Sequence, residues 1–479
     1  MNIRRYILLA SVTALSVLSL SAQETALSLD SCVALALRNN RDVRMAELQS
    51  RQYAHVKKAY WANYFPNLSA SAIDVWSTAK GSVDLDMMAF VPDAVTQTVT
   101  QIGTAVATRL VQAGVFSAEE VQSMQQNLGG ALSQLGGDID YKVSNVFTAG
   151  ITLEQPVYMG GKVTAAYRMG KLGHQMSLLN QQLTEDQVIV QTHEAYALLL
   201  KATELTQVAL RYDSLLSQLL HDVQSAESHG LRGHNDVLKV QVKKNEAELK
   251  LVQAQNGRRL AQMNLCHCIG YALGTPVEVM PVGEERLTQA YAAQDDAIAQ
   301  RPESAILDLK SQLAAQKVKL ERSEFLPQLG VLAHYGYTYG GKLMGETFFD
   351  APSFSVMASL KVPIYHAGEA QHKVKAAKLE YERTVLEQED LMEKMNLELQ
   401  QAANAFAESV IEVQMCDKSL EQATDNMRTS RKSFDVGLEP VSDLLEAQTL
   451  WQQAYASKVI AESQLIVNLA KYKKAAGAL

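Results

Sequence analysis

The sequence predicts a mainly α-helical chain with a small β part, built as a tandem duplication. The first observation is a near-repeat, because QPVYMGGK at 155–162 returns as VPIYHAGE at 362–369. The second is helix length: residues 369–436 contain neither Gly nor Pro, and one helix of that length would span roughly 100 Å. The third is a set of four stretches in which apolar and polar residues alternate, as they do along β-strands.

The chain begins with a segment typical of an export signal. Two arginines precede an apolar run at 6–20, and small residues follow where a signal peptidase would cut, after Ala22. A retained membrane anchor is the alternative, although the run is short for a membrane span. The LDSC stretch at 29–32 has the form of a lipid-attachment box but lies too far beyond the run. We therefore predict a signal peptide at 1–22 and an exported protein.

The composition and the scattered reactive residues favour neither an enzyme nor a nucleic-acid-binding protein. Of the 479 residues 20% are charged, and the net charge is −8, which disfavours binding to nucleic acid. The histidines form no Ser/His/Asp pattern. Cys266 and Cys268 would point about 200° apart on a helix, so they do not easily share a metal ion. We expect no catalytic residues, no cofactor and no metal.

The duplication extends well beyond the first pair of motifs. Pro156 and Pro363 are 207 residues apart, and the same offset relates HGLRGHNDVLKVQ at 229–241 to VGLEPVSDLLEAQ at 436–448. Each copy therefore predicts a long helix, a Gly-containing turn and a second long helix after its strands.

A second offset locates an insertion in the first copy. Pro66 and Pro327 are 261 residues apart, which differs by 54 from the offset downstream. The first copy therefore carries 54 additional residues between its two strands. The predicted divisions are a first repeat at 23–273 with the insertion within 69–150, a linker at 274–301, and a second repeat at 302–479.

Each of the four alternating stretches presents one apolar face. The apolar sets are Leu68, Ala70 and Ala72; Phe147, Ala149, Ile151 and Leu153; Leu329, Val331, Ala333, Tyr335, Tyr337 and Tyr339; and Phe354, Val356, Ala358, Leu360 and Val362. Strands of about ten residues with one apolar face fit a lipid-facing barrel, and they fit a half-buried sheet of a soluble protein equally well. The export signal and the long helices favour the barrel. Because four strands cannot close a barrel, several chains must contribute.

The helix predicted at 369–436 carries an apolar residue at every seventh position. These positions are Val385, Met392, Leu399, Phe406, Val413, Leu420, Met427 and Phe434. A sustained heptad indicates helices that pack side by side with a left-handed supercoil. A stripe of this length needs equally long neighbours, from the same chain or from other copies.

On these motifs the sequence resembles the TolC-like outer-membrane efflux proteins. The resemblance rests on LSLDSCVALALRNNRDV at 27–43, on the pairs YFPNLS/FLPQLG and PVYMGG/PIYHAG, and on the two turn segments. It implies a homotrimer whose chains each give four strands to one 12-stranded outer-membrane barrel, with long helices forming a periplasmic tunnel. It also implies three kinds of partner: a periplasmic adaptor (membrane fusion) protein, an inner-membrane pump that is proton-driven or ATP-driven, and outer-membrane lipid.

The resemblance assigns roles to two kinds of short motif. The strand–helix corners are Pro66, Pro156, Gly160, Gly161, Pro327, Pro363 and Gly368. The turns expected to contact the adaptor contain Gly230, Leu231, Arg232, Gly437, Leu438 and Glu439. At a corner the proline ends the strand, and the glycines relieve crowding where the helix begins. Leu231 and Leu438 are either exposed apolar knobs or packed inward.

The resemblance also implies a periplasmic gate on the helix after the second turn. Asp443 and Glu446 lie three residues apart and share a helix face, so three copies would form rings of negative charge. The alternative is that these acids only complement the helix dipole. Asp236 is the counterpart in the first copy, but Lys239 replaces the second acid, so we expect no equal ring there. Because Glu439 stands where the family often has an arginine, the basic partner of the gate is unassigned.

The sequence thus predicts a passive exit channel in the outer membrane, serving a tripartite efflux or type I secretion system. The alternative is an exported coiled-coil structural protein or adhesin without a pore. Efflux and secretion are not separated by the sequence, because the inner-membrane pump chooses the cargo. The role of the insertion is open.

Overall fold

A computed structural model describes residues 26–83, 139–283, 297–343 and 346–479. The predicted signal peptide and the greater part of the insertion lie outside these ranges. The chain divides into two compact units. The sheet unit comprises Ser50–Ser177 and Leu307–Gln388, and the helical unit comprises Met1–Gln49, Leu178–Ile306 and Glu389–Leu479.

Within the described ranges, helices and strands follow the order that the duplication predicts. They are α1 Leu29–Asn39, α2 Arg41–Ala62, β1 Asn67–Val83, β2 Ile139–Met159, α3 Lys162–Ser228, α4 His234–Ile269, α5 Pro302–Ser323, β3 Gln328–Leu343, β4 Glu346–Lys361, α6 Glu369–Asp435 and α7 Val441–Ala475. The prediction of a mainly α chain with a small β part is confirmed. None of the described helices is both long enough and apolar enough to cross a membrane.

The first long helix has the same length in the two copies. α3 and α6 each have 67 residues, and α6 has neither glycine nor proline to interrupt it. α3 does contain glycine where α2 approaches closely, since a Cβ at Gly170 would lie 2.6 Å from Cδ2 of Tyr60. On α6 the heptad positions Phe406 and Val413 are buried. The Phe406 ring stacks on Tyr472 of α7 with centroids 5.7 Å apart.

The sheet unit holds one antiparallel sheet with the strand order β1-β2-β3-β4. Its pairing places the four predicted apolar sets on one face, which we call the outer face. One row across this face joins Leu68 to Leu153, Leu153 to Ala333, and Ala333 to Val356. Leu68 and Val356 are 66% and 59% exposed in the single chain. The apolar alternation therefore serves a surface that the chain itself does not cover.

The opposite face of the sheet is polar and small. Thr152 contacts the ring of His334 with 2.9 Å between Oγ1 and Nδ1, and the Thr148 hydroxyl donates to Thr338 at 3.4 Å. Gly150 leaves room for the His334 ring, because a Cβ there would lie 2.6 Å from its Cε1. The two faces thus differ as the alternating sequence predicts.

The strands are longer than the predicted length of about ten residues, and one proline is placed differently. β2 has 21 residues and continues to Met159, so Pro156 lies inside the strand rather than after it. The pairing with β1 ends at Glu154, and the register with β3 shifts between Pro156 and Tyr158. The ladder is therefore already irregular where the proline removes a backbone donor. Pro66, Pro327 and Pro363 lie outside the strands, as predicted.

The helical unit has a core to which α1 contributes. Tyr196 of α3 is fully buried, and its hydroxyl donates to the carbonyl oxygens of Leu27 at 3.1 Å and Met280 at 2.6 Å. Cys32 is buried beside it, and burial raises the pKa of this thiol to about 11. A thiol with so high a pKa stays protonated and unreactive at neutral pH, so this cysteine serves packing.

A buried arginine ties the start of α5 to α6 in the same unit. Arg301 is 3% exposed, and its guanidinium lies 3.0 Å from Glu303 and 2.8 Å from Glu398. Burial is the largest influence and raises the pKa of Glu303. The hydrogen bond and charge of Arg301, a backbone hydrogen bond and the charge of Lys474 together outweigh it, so the pKa of this carboxyl is lowered. Asp186 of α3 has the opposite shift, because burial first and then the charge of Glu303 raise its pKa.

Candidate functional site: the two helix turns

The two turns that the sequence singled out have the same backbone structure. Gly230 and Gly437 adopt left-handed φ angles of 74° and 81°. The following leucine N–H reaches back to close each helix, from Leu231 to Ala226 O at 2.9 Å and from Leu438 to Ser433 O at 2.9 Å. This is the Schellman ending, which favours glycine because other residues are strained at positive φ.

Both turn leucines point away from the protein. Leu231 is 77% exposed and Leu438 is 80% exposed in the single chain. The sequence left open whether they pack inward, and within this chain they do not. An exposed leucine at each of two equivalent turns makes a pair of apolar contacts available to another protein.

The second turn leads into the acids predicted for the gate. Asp443 and Glu446 are exposed on α7, while Leu444 and Leu445 between them are buried. Asp443 accepts a hydrogen bond from the Ser442 hydroxyl at 2.9 Å. Both carboxylates are therefore on the uncovered face of a helix whose other face is fixed in a core.

The first turn places its acid differently. Asp236 of α4 lies 3.3 Å from the Lys239 ammonium, measured between Oδ1 and Nζ. This ion pair offsets the carboxylate charge of Asp236. Close by, exposed Leu238, Val242 and Leu450 line a groove of about 730 Å³ between α4 and α7, with Glu446 on its wall.

Arg232 of the first turn is bound to the second turn. Its Nη2 donates to Glu439 O at 3.4 Å, and its guanidinium carbon lies 4.7 Å from the centroid of the Phe434 ring. The Glu439 carboxylate accepts a hydrogen bond from Ser430 at 2.5 Å. The first copy therefore supplies the arginine that the second turn lacks.

A second arginine, which the sequence analysis missed, joins the two long helices just before the turns. Arg431 of α6 lies 2.6 Å from Asp222 of α3, measured between Nη2 and Oδ2, and 3.0 Å from Asp435. The Arg431 and Asp222 side chains are 30% and 33% exposed. No periodicity within one helix indicates this pair, because it depends on the register between α3 and α6.

Below the turns, all four long helices share one apolar core. Its largest fully buried members include Leu216, Leu219 and Leu444. Tyr212 of α3 and Thr449 of α7 add a hydroxyl contact of 3.2 Å. Movement of α6 and α7 away from α3 and α4 would have to disrupt this core, the Arg232 contacts and the Arg431–Asp222 pair together.

The corner glycines of the sheet unit adopt left-handed backbone conformations. Gly160, Gly161 and Gly368 have φ angles of 61°, 89° and 85°. Ala367 has a φ of 46° and is the one non-glycine residue at positive φ in the described ranges. Among those ranges no group of three or more His, Cys, Asp or Glu is arranged to hold a metal ion.

Comparison with known proteins agrees with this architecture. The model of the family described as "Outer membrane efflux protein" matches residues 293–478. The alkaline protease secretion protein AprF of Pseudomonas aeruginosa is 23% identical over 319 residues, 65% of each chain, so the match spans just under two thirds of that protein. The outer membrane protein TolC of Vibrio cholerae is 21% identical over 375 residues, covering 76% of this chain and 84% of that protein.

The same fold occurs in a solved outer-membrane channel. The structure of the Campylobacter jejuni CmeC outer membrane channel superposes with a TM-score of 0.72 at 16% identity, covering 94% of this chain and 85% of that chain. At this level of identity the likeness establishes the fold alone.

Proposed function

We propose that this chain, which resembles the outer membrane efflux proteins in sequence and fold, forms the outer-membrane exit channel of a tripartite efflux or type I secretion system. The observation that carries the proposal is the asymmetry of the sheet. Its outer face is apolar and exposed in the single chain, with Phe354 at 70% and Leu360 at 61%. Its opposite face carries hydrogen-bonded Thr and His side chains. Lipid outside and water inside a barrel would suit these faces.

The apolar part of the outer face has the height of an outer-membrane span. Leu329 and Tyr339 bound it on β3, and the ten residue steps between them extend about 33 Å along the strand. At a strand tilt of about 40° this corresponds to roughly 25 Å, the height of the apolar band of outer-membrane barrels. Asp74 and Asp350 lie on the row of Tyr339, so charged residues return at that end.

Three copies supply the strands that closure requires. In the described sheet β1 and β4 are the edges, and exposed edges favour pairing with another chain. Four successive antiparallel strands leave β1 and β4 running in opposite directions. β4 of one copy can therefore pair with β1 of the next in the same antiparallel way, giving 12 strands in a homotrimer.

The proposed gate is formed by the exposed carboxylates of Asp443 and Glu446. Three copies around an axis bring six such groups together, and their repulsion favours opening unless other contacts oppose it. The Arg431–Asp222 pair is the proposed opposing contact, because it joins the helix before the gate to α3. Asp236 adds a further carboxylate in each copy, offset by its own lysine.

The two turns are the proposed contact with a periplasmic adaptor protein. They present Leu231 and Leu438 in matching backbone settings. An inner-membrane pump, proton-driven or ATP-driven, would supply the energy, since the channel itself has no described site for chemistry. The proposal covers efflux and protein secretion alike, because the pump chooses the cargo.

Tryptophan fluorescence in vesicles of brominated phospholipid tests the lipid-facing sheet. Trp76 of β1 is 77% exposed on the outer face, two residues beyond Asp74, at the edge of the apolar band where outer-membrane barrels carry aromatic girdles. Trp451 of α7 is 8% exposed in the helical unit. Bromine quenches only fluorophores that contact the acyl chains. We expect quenching of the parent protein, a marked loss of that quenching in Trp76→Phe, and no such loss in the matched variant Trp451→Phe.

The rival proposal predicts a different result. An exported coiled-coil scaffold or adhesin would stay in solution once its signal is removed, and no tryptophan would be quenched. Equal quenching of the parent and Trp76→Phe, with the protein inserted, would place a different surface in the lipid and would refute the proposed orientation of the sheet.

A further inference from the structure

Two exposed apolar groups lie at the ends of the edge strands in the sheet unit. Just before β1, Trp61 and Phe65 are 51% and 49% exposed; we call this the aromatic junction. Just after β4, Ile364 and Tyr365 are 93% and 83% exposed; we call this the free corner. We propose that the free corner of one copy packs on the aromatic junction of the next copy, forming the seam of the trimer. This inference rests on the proposed trimeric channel and specifies its contacts.

The chain contains an internal precedent for this contact. The corner after β2 packs against the junction between α5 and β3 so closely that a Cβ on Gly160 would lie 2.4 Å from Ser323 O and 2.8 Å from Leu326 Cβ. This contact joins the corner of the first repeat to the strand entry of the second repeat. The second repeat has the same corner, and the strand entry that repeats this junction within the described residues is the one before β1.

The repeat offsets identify the missing partners. The offset of 207 takes Gly160 to Ala367 in the free corner, and the offset of 261 relates Leu326 to Phe65 in the aromatic junction. The counterpart of the Gly160–Leu326 contact is therefore a contact between Ala367 and Phe65. In one chain these residues follow β4 and precede β1, which are opposite edges of the sheet. A second copy is what can bring them together.

The backbone of both partners is already in the conformation that the internal contact uses. The corner φ angles are 61° at Gly160 and 46° at Ala367. At the strand entries the Leu326 N–H donates to Ser323 O at 3.3 Å, and the Phe65 N–H donates to Ala62 O at 3.0 Å. The free surfaces therefore repeat the shape of the packed ones, which is what a quasi-equivalent contact between copies requires.

The substitutions between the repeats indicate how the seam differs from its internal counterpart. Ala367 has a Cβ where Gly160 has none, and at the internal spacing that atom would overlap a carbonyl oxygen. The backbones at the seam must therefore stand further apart, by about 1 Å, to reach ordinary contact. Larger side chains occupy the added space, since Phe65 replaces Leu326 and Ile364 replaces Val157. The seam thus depends on side chains, whereas the internal corner depends on close backbone contact.

Disulfide trapping tests the seam directly. The variant Phe65→Cys/Ala367→Cys is oxidised in detergent and denatured fully, and its covalent species are separated without reductant. We expect most chains to run as covalent dimers and trimers, because the proposed contact brings the two Cβ atoms within disulfide range. The partly exposed Cys416 is replaced by alanine in every sample, and Cys32, Cys266 and Cys268 are buried. The parent protein and the two single variants should therefore remain monomeric on the gel.

A matched control and a second pair keep the result interpretable. Phe65→Cys/Tyr335→Cys places the second thiol on the exposed outer face of β3, away from the sheet edges, and should give no crosslinked ladder. The second pair, Ala62→Cys/Ala367→Cys, retains the Phe65 ring. It should crosslink even if removal of that ring in the first pair impairs assembly. Native mass spectrometry of the same samples reports the oligomeric state.

The outcomes separate this inference from the proposed function. Trimers by native mass spectrometry without crosslinking in either seam pair would overturn the seam and leave the trimeric channel standing. Monomers throughout would overturn both. Crosslinking of the Tyr335 control as strongly as of the seam pairs would show random collision and would also overturn the seam.

Discussion

The corner glycine Gly160 offers a sharp test of how the sheet unit is held together, through the substitution Gly160→Ala. The residue has a φ of 61°, where alanine is strained by about 1–2 kcal/mol. The added Cβ would also lie 2.4 Å from Ser323 O, so that backbone must retreat by about 1 Å. Overpacking of this kind costs about 1–3 kcal/mol. We therefore expect a total loss of about 2–5 kcal/mol.

Its neighbour provides a control that separates the two contributions. Gly161 has a φ of 89°, but a Cβ built there has no heavy atom within 4 Å. Gly161→Ala should therefore cost only the conformational part, about 1–2 kcal/mol. Ala367, which is exposed, shows that alanine occupies the equivalent corner position at a positive φ.

The assay is the midpoint of unfolding in detergent, followed by circular dichroism for all three proteins under one protocol. Gly160→Ala should unfold at a clearly lower temperature or denaturant concentration than Gly161→Ala. Equal midpoints for the two variants would show that the close approach to Ser323 carries no stability, and would refute the packing account of the corner.

Three further predictions concern the helical unit. Arg431→Ala should increase single-channel conductance, because it removes an ion pair that opposes opening. A partly exposed ion pair contributes about 0.2–1 kcal/mol, which is up to about fivefold in the opening equilibrium of each copy. Asp222→Ala should have the same effect, and the double variant should add little to either single variant if the two residues act as a pair. Asp443→Ala/Glu446→Ala should also raise conductance in planar bilayers, and an unchanged value from intact trimers would remove the gate from these acids. Asp186→Asn should flatten the pH dependence of stability. The pKa of Asp186 is raised in the folded state, so this carboxyl stabilises the fold at pH values below its unfolded pKa of about 4. That stabilisation is lost as the pH rises through the pKa of the folded state. The asparagine variant should therefore unfold later than the parent at pH 7, and earlier unfolding there would contradict the assigned shift.

The sequence was most informative where structure depends on neighbouring residues. The absence of glycine and proline predicted α6 almost to its ends, and the two turn glycines marked both Schellman endings. The alternation predicted which residues share the outer face, because side chains point to opposite faces in turn along any strand. The repeat offsets supplied a register between distant segments that a sequence without duplication would lack.

Contacts between helices could not be predicted from the sequence, because they do not depend on neighbouring residues alone. The Arg431–Asp222 pair and the position of Arg232 over Phe434 depend on how two helices are aligned along their lengths, which no single-helix pattern encodes. The continuation of β2 past Pro156 was also missed, because proline was expected to end the strand. The neighbouring ladder is irregular there, and this made the proline tolerable.

Conductance across a planar lipid bilayer tests the central claim most directly. Purified trimer added to one side should produce discrete current steps, and Arg431→Ala should give larger or longer-lived steps at the same protein concentration. Absence of steps from folded protein, in the parent and in Arg431→Ala alike, would contradict the channel and leave the exported scaffold as the better account.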